Sequence, residues 1–365
     1  MAEPPRVLFA IGGLGRGGSE RQLMQLIATA HPGRLRATVL TLSTVCDPGH
    51  AAQLRELGVE LVQLPPAPLP RAARPAVSVP RAFAAVRRVR PDAVYAWLEE
   101  ASTTVAPAAW ALRVPLLVAR RSVCGSGAED LAVYRIPIRL AERQARIVTG
   151  NSLAVVAEAE ARGVDAGRVR LVPNGHPAVE PLPPREAEPV ALGYLANYRP
   201  EKGHERFLAA LERLDARTPW RADLAGDGEM RAGVEASIAA RGLSDRVSAL
   251  GQVADVRRFW EEHDVAVLLS DDEGSPNVLI EAAMLGRPLV GTDAGGTREV
   301  VRPEAGLLVP HDPAAIAAAL EQLIEDPELR RRLGEGARRS AVDRYDAARS
   351  ADAHLAAIEE AIGSG

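Results

Sequence analysis

Short aliphatic runs alternate with amphipathic stretches along the chain, in two series separated by a proline-dense segment. In the first series, residues 6–11, 37–42, 59–64, 94–97, 116–119, 147–149 and 169–172 read as strands. Between them lie helical patterns: residues 19–30 repeat apolar positions at helical spacing, and another helix runs up to Arg90 after a proline-rich stretch at 65–80. The second series places strands at 191–194, 222–225, 247–250, 265–269, 288–291 and 306–309, with helices in the intervals and helical segments from about Pro313 to Ile362. Such alternation predicts an α/β protein built from right-handed βαβ units, with parallel sheets covered on both faces. From 176 to 190, prolines at 177, 181, 183, 184 and 189 exclude a helix or a central strand. The expected organisation is a first domain at 1–178, a linker at 179–190 and a second domain at 191–345. A terminal helix at 346–365 is free to return to the first domain. Two doubly wound domains with a cleft between them follow, and no short-period repeat interrupts the pattern.

A chain of 365 residues suits two domains of ordinary size. No run of 18 or more apolar residues is present, which argues against a membrane span. The start, Met1-Ala2-Glu3-Pro4-Pro5-Arg6, lacks the features of a secretory signal. Two cysteines, Cys46 and Cys124, cannot build a disulfide framework, and no Cys/His spacing suggests zinc. A cytoplasmic protein without cofactor or metal is expected, with no nucleic-acid partner. Charge is divided unevenly: residues 1–178 hold 22 Arg against 14 Asp and Glu, and residues 179–365 hold 22 Lys and Arg against 34. A basic half and an acidic half suggest two domains with different partners.

Of the 44 basic residues, 43 are arginine and one is Lys202, in Arg199-Pro200-Glu201-Lys202-Gly203. Ammonium is a compact point charge, whereas guanidinium is a flat five-donor fork. A narrow site between phosphate oxygens accepts the first and excludes the second. The glycine run Gly12-Gly13-Leu14-Gly15-Arg16-Gly17-Gly18 follows the first strand and opens the first helix, with Gly13, Gly15 and Gly18 in G-x-G-x-x-G spacing. The dinucleotide reading also needs an acid about twenty residues on. No Asp or Glu lies between Glu20 and Asp47, so only a glycine loop that lets amides approach an anion survives.

The most specific segment is Glu273-Gly274-Ser275-Pro276-Asn277-Val278-Leu279-Ile280-Glu281, after the strand at 265–269. Ser275 reads as a helix cap and Pro276 as the first helical residue, which aims the first amides at the carboxyl end of the sheet. Those amides suit a diphosphate. Glu273 before the helix and Glu281 about two turns inside it occupy different places, suited to sugar and ribose hydroxyls. Asp271-Asp272-Glu273 read as a metal-binding cluster is the weaker alternative, because further hard-metal ligands are not assignable.

These residues resemble the retaining glycosyltransferases of family 4, with the GT-B fold of two facing Rossmann-like domains. The resemblance runs over nearly the whole chain. It rests on residues 199–203, Ala225-Gly226-Asp227-Gly228, 273–281 and 292–300 in the second half, and on Gly17-Gly18-Ser19-Glu20, Gly150-Asn151-Ser152 and Val172-Pro173-Asn174-Gly175 in the first. It implies that Lys202 contacts the donor diphosphate, that Glu273 lies near donor-sugar hydroxyls and that Glu281 binds the ribose. Amides from Gly274 and Ser275 through Pro276, Asn277 and Val278 would line sugar and phosphates, with Gly226 near the donor and Gly17 and Gly18 closing the diphosphate. The family's arginine five residues before the lysine is Asn197 here, and Arg199 is placed to supply that charge. Relatives also carry a histidine near the end of the fourth strand. This chain has Tyr95-Ala96-Trp97-Leu98-Glu99-Glu100 there, and all seven histidines lie elsewhere in sequence. Trp97, Glu99, Glu100, Arg120 and Arg121 become the acceptor-side candidates.

The resemblance implies a metal-independent hexosyl- or N-acetylhexosaminyltransferase using a UDP- or GDP-sugar, acting on a glycan, lipid-linked or small-molecule acceptor. A GT-B epimerase, a phosphorylase and a nucleotide-sugar binder without catalysis stay open beside it. An NAD-dependent oxidoreductase is the most distant, since the ribose acid is missing. From Leu61 through Pro91 there is no acidic residue, but six arginines, at 71, 74, 81, 87, 88 and 90. Val79, Phe83, Val86 and Val89 suggest an apolar helical face beside them. An anionic acceptor, or one presented at an anionic membrane surface, is therefore expected; a helix packed on the sheet with a solvated basic side is the alternative.

Overall fold

A computed structural model describes residues 3–65, 73–123, 132–185, 188–215 and 217–363. Its contacts divide the chain into two compact units, Met1–Gly175 with Ala347–Gly365, and His176–Asp346. Among the described residues the first unit holds a parallel sheet of β1 (Arg6–Ile11), β2 (Arg36–Thr41), β3 (Glu60–Gln63), β4 (Ala93–Trp97), β5 (Leu116–Arg120), β6 (Ile147–Gly150) and β7 (Val169–Leu171). The spatial order is β3-β2-β1-β4-β5-β6-β7. Its central strands are buried on both faces, which is why they read as unbroken apolar runs rather than alternating ones.

The second unit holds β8 (Val190–Leu195), β9 (Trp220–Ala225), β10 (Val247–Leu250), β11 (Val265–Leu268), β12 (Leu289–Thr292) and β13 (Gly306–Val309), ordered β10-β9-β8-β11-β12-β13. Each sheet reverses direction of progression once, beside its first strand: between β1 and β4, and between β8 and β11. Ligands of open parallel sheets bind at the carboxyl ends of strands at such a switch point.

Helix α1 (Gly18–Ala30) follows β1 and packs against the terminal helix α14 (Ala347–Gly363). Leu355 and Ile358 of α14 join Leu23, Met24 and Ile27 of α1 in one core. Ser350 Oγ donates to the Pro173 carbonyl at 2.7 Å, and Arg170 pairs with Glu360 at 2.5 Å, so the terminal helix is part of the first unit. Helix α3 (Pro75–Val89) buries Ala82, Ala85 and Val86, with Phe83 and Val89 packed on the same core. The apolar side expected at a membrane therefore covers the sheet, and Arg87, Arg88 and Arg90 lie on the exposed side. Arg71 and Cys124 lie outside the described residues. No helix among the described residues is long and apolar enough to cross a membrane.

One local expectation needs correction. Helix α10 (Asn277–Met284) begins at Asn277, with Pro276 as N-cap at φ −75° and ψ 90° and no side-chain cap. The Pro276 carbonyl accepts the first helical bonds, from Leu279 N at 3.0 Å and Ile280 N at 3.2 Å, so Pro276 cannot itself be helical, and Ser275 has no cap role. Glu281 is consequently little more than one turn inside the helix.

Candidate donor and acceptor sites

The carboxyl ends of β8 and β11 flank the switch point of the second unit, and the two residues singled out there meet. Lys202 Nζ lies 2.6 Å from Glu273 Oε1, and Ser270 Oγ donates to the same oxygen at 2.8 Å. These partners are 71 residues apart in sequence, and both are largely covered. The backbone fixes the encounter. Lys202 ends a 3-10 turn, Pro200–Lys202, and Gly203 follows at φ +67°. A Cβ at Gly203 would stand 2.0 Å from the Leu269 carbonyl oxygen, so only glycine lets the turn lie against the end of β11. The Tyr194 hydroxyl donates to the Lys202 carbonyl and accepts from Leu269 N at 2.9 Å. Burial raises the Tyr194 phenol, so it remains a donor.

Glu273 is gripped from the other side by the loop after β12. Gly296 N donates to the Glu273 carbonyl at 2.7 Å, and Gly295, at φ +49°, leaves no room for a Cβ, which would meet that oxygen at 2.2 Å. Thr292 Oγ1 donates to the Ser270 carbonyl at 2.6 Å. Gly274, Ser275 and Pro276 are buried between Glu273 and α10, whose leading amides belong to Asn277 and Val278. The Asn277 side chain is 3.1 Å from His176 Nε2. Gly226 follows β9 and lies against the Ala196–Asn197 backbone: its Cβ would be 2.0 Å from the Ala196 oxygen and 3.2 Å from Asn197 Cα. Asn197 and Arg199 are exposed, and no ion pair engages Arg199 among the described residues. The second unit thus gathers one ammonium, a carboxylate that orients it and a helix N-terminus, with the exposed Arg199 three residues before the lysine. Such a set neutralises charge developing on a leaving phosphate.

Tyr194, Ser270 and the Gly295–Gly296 pair were not singled out individually from sequence. Gly203 belongs to the 199–203 segment, but local sequence gives neither its positive φ nor the tyrosine. Gly203→Ala is expected to lower stability by about 2–4 kcal/mol, from left-handed strain plus backbone overlap, read as a lower denaturant midpoint at unchanged slope.

Next to this turn, His204 stacks on Tyr198 at 4.6 Å and lies tilted against Tyr194 at 5.1 Å, and burial pulls its imidazole down to about 4, with the Lys202 charge a smaller push the same way. The unfolded chain takes up this proton near pH ~6.5. Between that pH and about 4 the unfolded state binds more protons, so stability is full above the upper value and falls as pH drops through this window. In a His204→Phe variant, melting points recorded across the window should decline less steeply than in wild type.

In the first unit the switch point between β1 and β4 carries the glycine loop and the Trp97 region. Gly17 caps α1 and Gly18 opens it; a Cβ at Gly17 would be 2.2 Å from Glu20 Oε2, because that carboxylate folds back over the helix start. Trp97 Nε1 donates to the Ser19 carbonyl at 3.1 Å. The Arg121 guanidinium stacks on Trp97 at 4.2 Å and donates to Asn174 Oδ1 at 3.1 Å. Burial brings Arg121 down to about 10, still cationic at neutral pH. Leu98, at φ +73°, turns the chain sharply from β4 into α4 (Glu99–Ala111), a conformation rare for a branched side chain.

A histidine does reach this region. His354 of α14 lies 5.4 Å from the Trp97 ring, and its Nδ1 is 2.9 Å from the Tyr95 hydroxyl. Burial, with Arg121 nearby, keeps it neutral. It lies beneath Trp97 and is 2% exposed, so it supports the tryptophan rather than replacing a solvent-facing histidine. Arg120 is drawn elsewhere: it is 1% exposed and paired with Glu142, which also holds Arg162 at 3.5 Å. Glu99 is buried, with Ser122 Oγ at 3.5 Å. Glu100 instead lines a cavity of about 330 Å³ at the ends of β1–β3, together with Ser43, Arg74, Ser78, Arg81 and Thr104.

Comparison with known proteins agrees with this architecture. The family model described as Glycosyl transferases group 1 matches residues 181–340, and the Glycosyl transferase 4-like domain matches residues 17–175. Between them they take in most of both units, and the chain belongs to this group of family-4-like glycosyltransferases. Alpha-D-kanosaminyltransferase of Streptomyces kanamyceticus is 33% identical over 180 residues, covering 48% of this chain and 46% of the relative. N-acetyl-alpha-D-glucosaminyl L-malate synthase of Bacillus anthracis is 30% identical over 162 residues, covering 44% and 42%. The chain spans about half the length of the relatives it matches. Among solved structures, Anabaena HepE in complex with UDP-glucose superposes with a TM-score of 0.80 at 24% identity, covering 96% of this chain and 98% of the other. WaaG, a glycosyltransferase involved in lipopolysaccharide biosynthesis, gives 0.75 at 18%, covering 96% and 98%. The fold is GT-B, two Rossmann-like units.

Proposed function

We propose that the protein transfers a hexosyl or N-acetylhexosaminyl group, with retention of anomeric configuration, from a UDP- or GDP-sugar to an acceptor hydroxyl. The observation that carries this reading is the Lys202–Glu273 contact of 2.6 Å at the switch point, beside the start of α10. When the bond between the anomeric carbon and the diphosphate breaks, negative charge grows on the phosphate oxygens. Lys202, Arg199 and the amides of Asn277 and Val278 stabilise it without a metal, each group contributing roughly 10²–10³ in rate. The acceptor oxygen bonds to the anomeric carbon from the face that the phosphate leaves, and a phosphate oxygen takes the acceptor proton. Glu273 and Glu281 accept from sugar and ribose hydroxyls. The UDP-glucose complex of HepE supports a uridine donor.

The acceptor belongs to the first unit, and we place its anionic group in the cavity holding Arg74 and Arg81. Incubation with a panel of nucleotide sugars, followed by NMR of the product anomer, tests the reading. Transfer with an inverted anomer would overturn retention, and saturable binding without turnover would make the protein a binder. Acceptor KM should rise with salt while donor KM changes less, because exposed arginines are screened over about 8–10 Å. A neutral acceptor used equally well at low and high salt would contradict the acceptor assignment.

A further inference from the structure

A cavity of about 630 Å³ opens at the other end of the second unit's sheet, where Asp264 precedes β11 and Pro288 precedes β12. Lys202 and Glu273 follow strands at the opposite end, so this cavity is separate from the donor site. Its walls carry Arg185, Arg287, Arg330, Arg331, Arg338 and Arg339, against Asp264 and Glu335. Arg185 lies 3.4 Å from Asp264, and Arg331 pairs with Glu328 and Glu335 at 2.5 Å each. Among the described residues, the other four arginines have no carboxylate at ion-pair distance.

Three of those four are held by carbonyls alone. Arg287, 3% exposed, donates to the Trp260 oxygen at 3.0 Å and the Pro183 oxygen at 2.9 Å. Arg330 donates to the Leu323 and Ile324 oxygens at 2.6 and 2.9 Å, and Arg338 donates to the Met284 oxygen. Carbonyls orient a guanidinium without cancelling its charge. The Met284 oxygen closes α10, and Leu323 and Ile324 close α12 (Pro313–Glu325). Each helix end carries about half a negative charge, so the two offset about one of the four unpaired positive charges. Glu328 and Glu335 together carry one charge more than the Arg331 they hold, so about two remain, around a recess whose size falls in the range of roughly 300–1,000 Å³ found for small-molecule sites.

We propose that this cavity is a second anion-binding site, which takes a phosphate-bearing small molecule. Forked guanidinium donors match phosphate oxygens, and their carbonyl partners preset their direction. The recess favours a ligand that enters it over a flat headgroup layer. The site goes beyond the transferase reading and stands or falls independently of it.

Isothermal titration of the full-length protein with inorganic pyrophosphate tests the assignment, using Lys202→Ala to weaken the donor site. Lys202→Ala should retain one binding event, and adding Arg338→Gln with Arg339→Glu should weaken that event about tenfold or more. If Arg338→Gln costs folding, Arg339→Glu alone, at an exposed position, should act in the same direction. Loss of all pyrophosphate binding in Lys202→Ala alone, with the fold intact by circular dichroism, would overturn the proposal. Unchanged binding in the arginine variants would do the same. Capture by phosphatidic acid vesicles, without pyrophosphate binding in solution, would assign the arginines to a membrane surface and equally overturn it.

Discussion

Lys202→Ala should lower transfer by about 10²–10³-fold and leave the protein folded, and Lys202→Arg should restore little of the loss. The ammonium is 2.6 Å from Glu273 Oε1, at the end of a turn pinned by Gly203 against Leu269 and by Tyr194 on the Lys202 carbonyl. With the backbone fixed at both points, a longer planar fork cannot reach the same spot without displacing Glu273. Glu273 keeps the Ser270 hydroxyl as a donor once the ammonium is gone, so the fold should hold. Steady-state kinetics with matched circular dichroism spectra check this. An arginine variant that keeps more than about half the wild-type rate would show that any cation suffices there.

Glu273 and Glu281 should fail in different ways. Glu273 takes the Lys202 ammonium and the Ser270 hydroxyl on one oxygen, so Glu273→Ala both removes a sugar partner and frees the lysine. We expect kcat to drop by about 10²-fold or more, with nucleoside diphosphate affinity changed much less. Glu281 sits within α10, past its leading amides, and its replacement by alanine should raise KM and the Kd for free nucleoside diphosphate together. Calorimetry with the nucleoside diphosphate on both variants decides between them. Equal losses of affinity would mean that the two carboxylates do not divide the work between sugar and ribose.

Much of this was legible because it is local. Parallel strands covered on both faces announce themselves as apolar runs, and each predicted strand lies within two residues of an observed one. On the donor side, the lone lysine stands out by residue type and the Pro276-Asn277 step marks a helix start, so both segments could be singled out from local sequence. The helix boundary slipped by a residue, since Pro276 suits an N-cap as well as a first turn and only the acceptor of the first helical bond separates the two. Pairings across the chain were not legible. Arg120 and Arg121 are neighbours of one type, but Arg120 ends β5 and Arg121 begins the segment after it, and their side chains meet different partners. One is consumed by Glu142 and the other stacks on Trp97. His354, 259 residues after Tyr95, reaches Trp97 only because the terminal helix packs on the first unit, and nothing in local sequence signals that.

The central claim is that the second unit binds a nucleotide sugar through Lys202. A thermal-shift panel of UDP-, GDP-, ADP- and dTDP-sugars, run on wild type and Lys202→Ala, tests it most directly. A ligand at about 100 times its Kd stabilises the native state by ~2.7 kcal/mol, a shift of a few degrees. At least one sugar nucleotide should raise the wild-type melting point by that much, a UDP-sugar first among them, and the shift should largely vanish in Lys202→Ala. No shift with any of the four, or an equal shift in both proteins, would contradict the account.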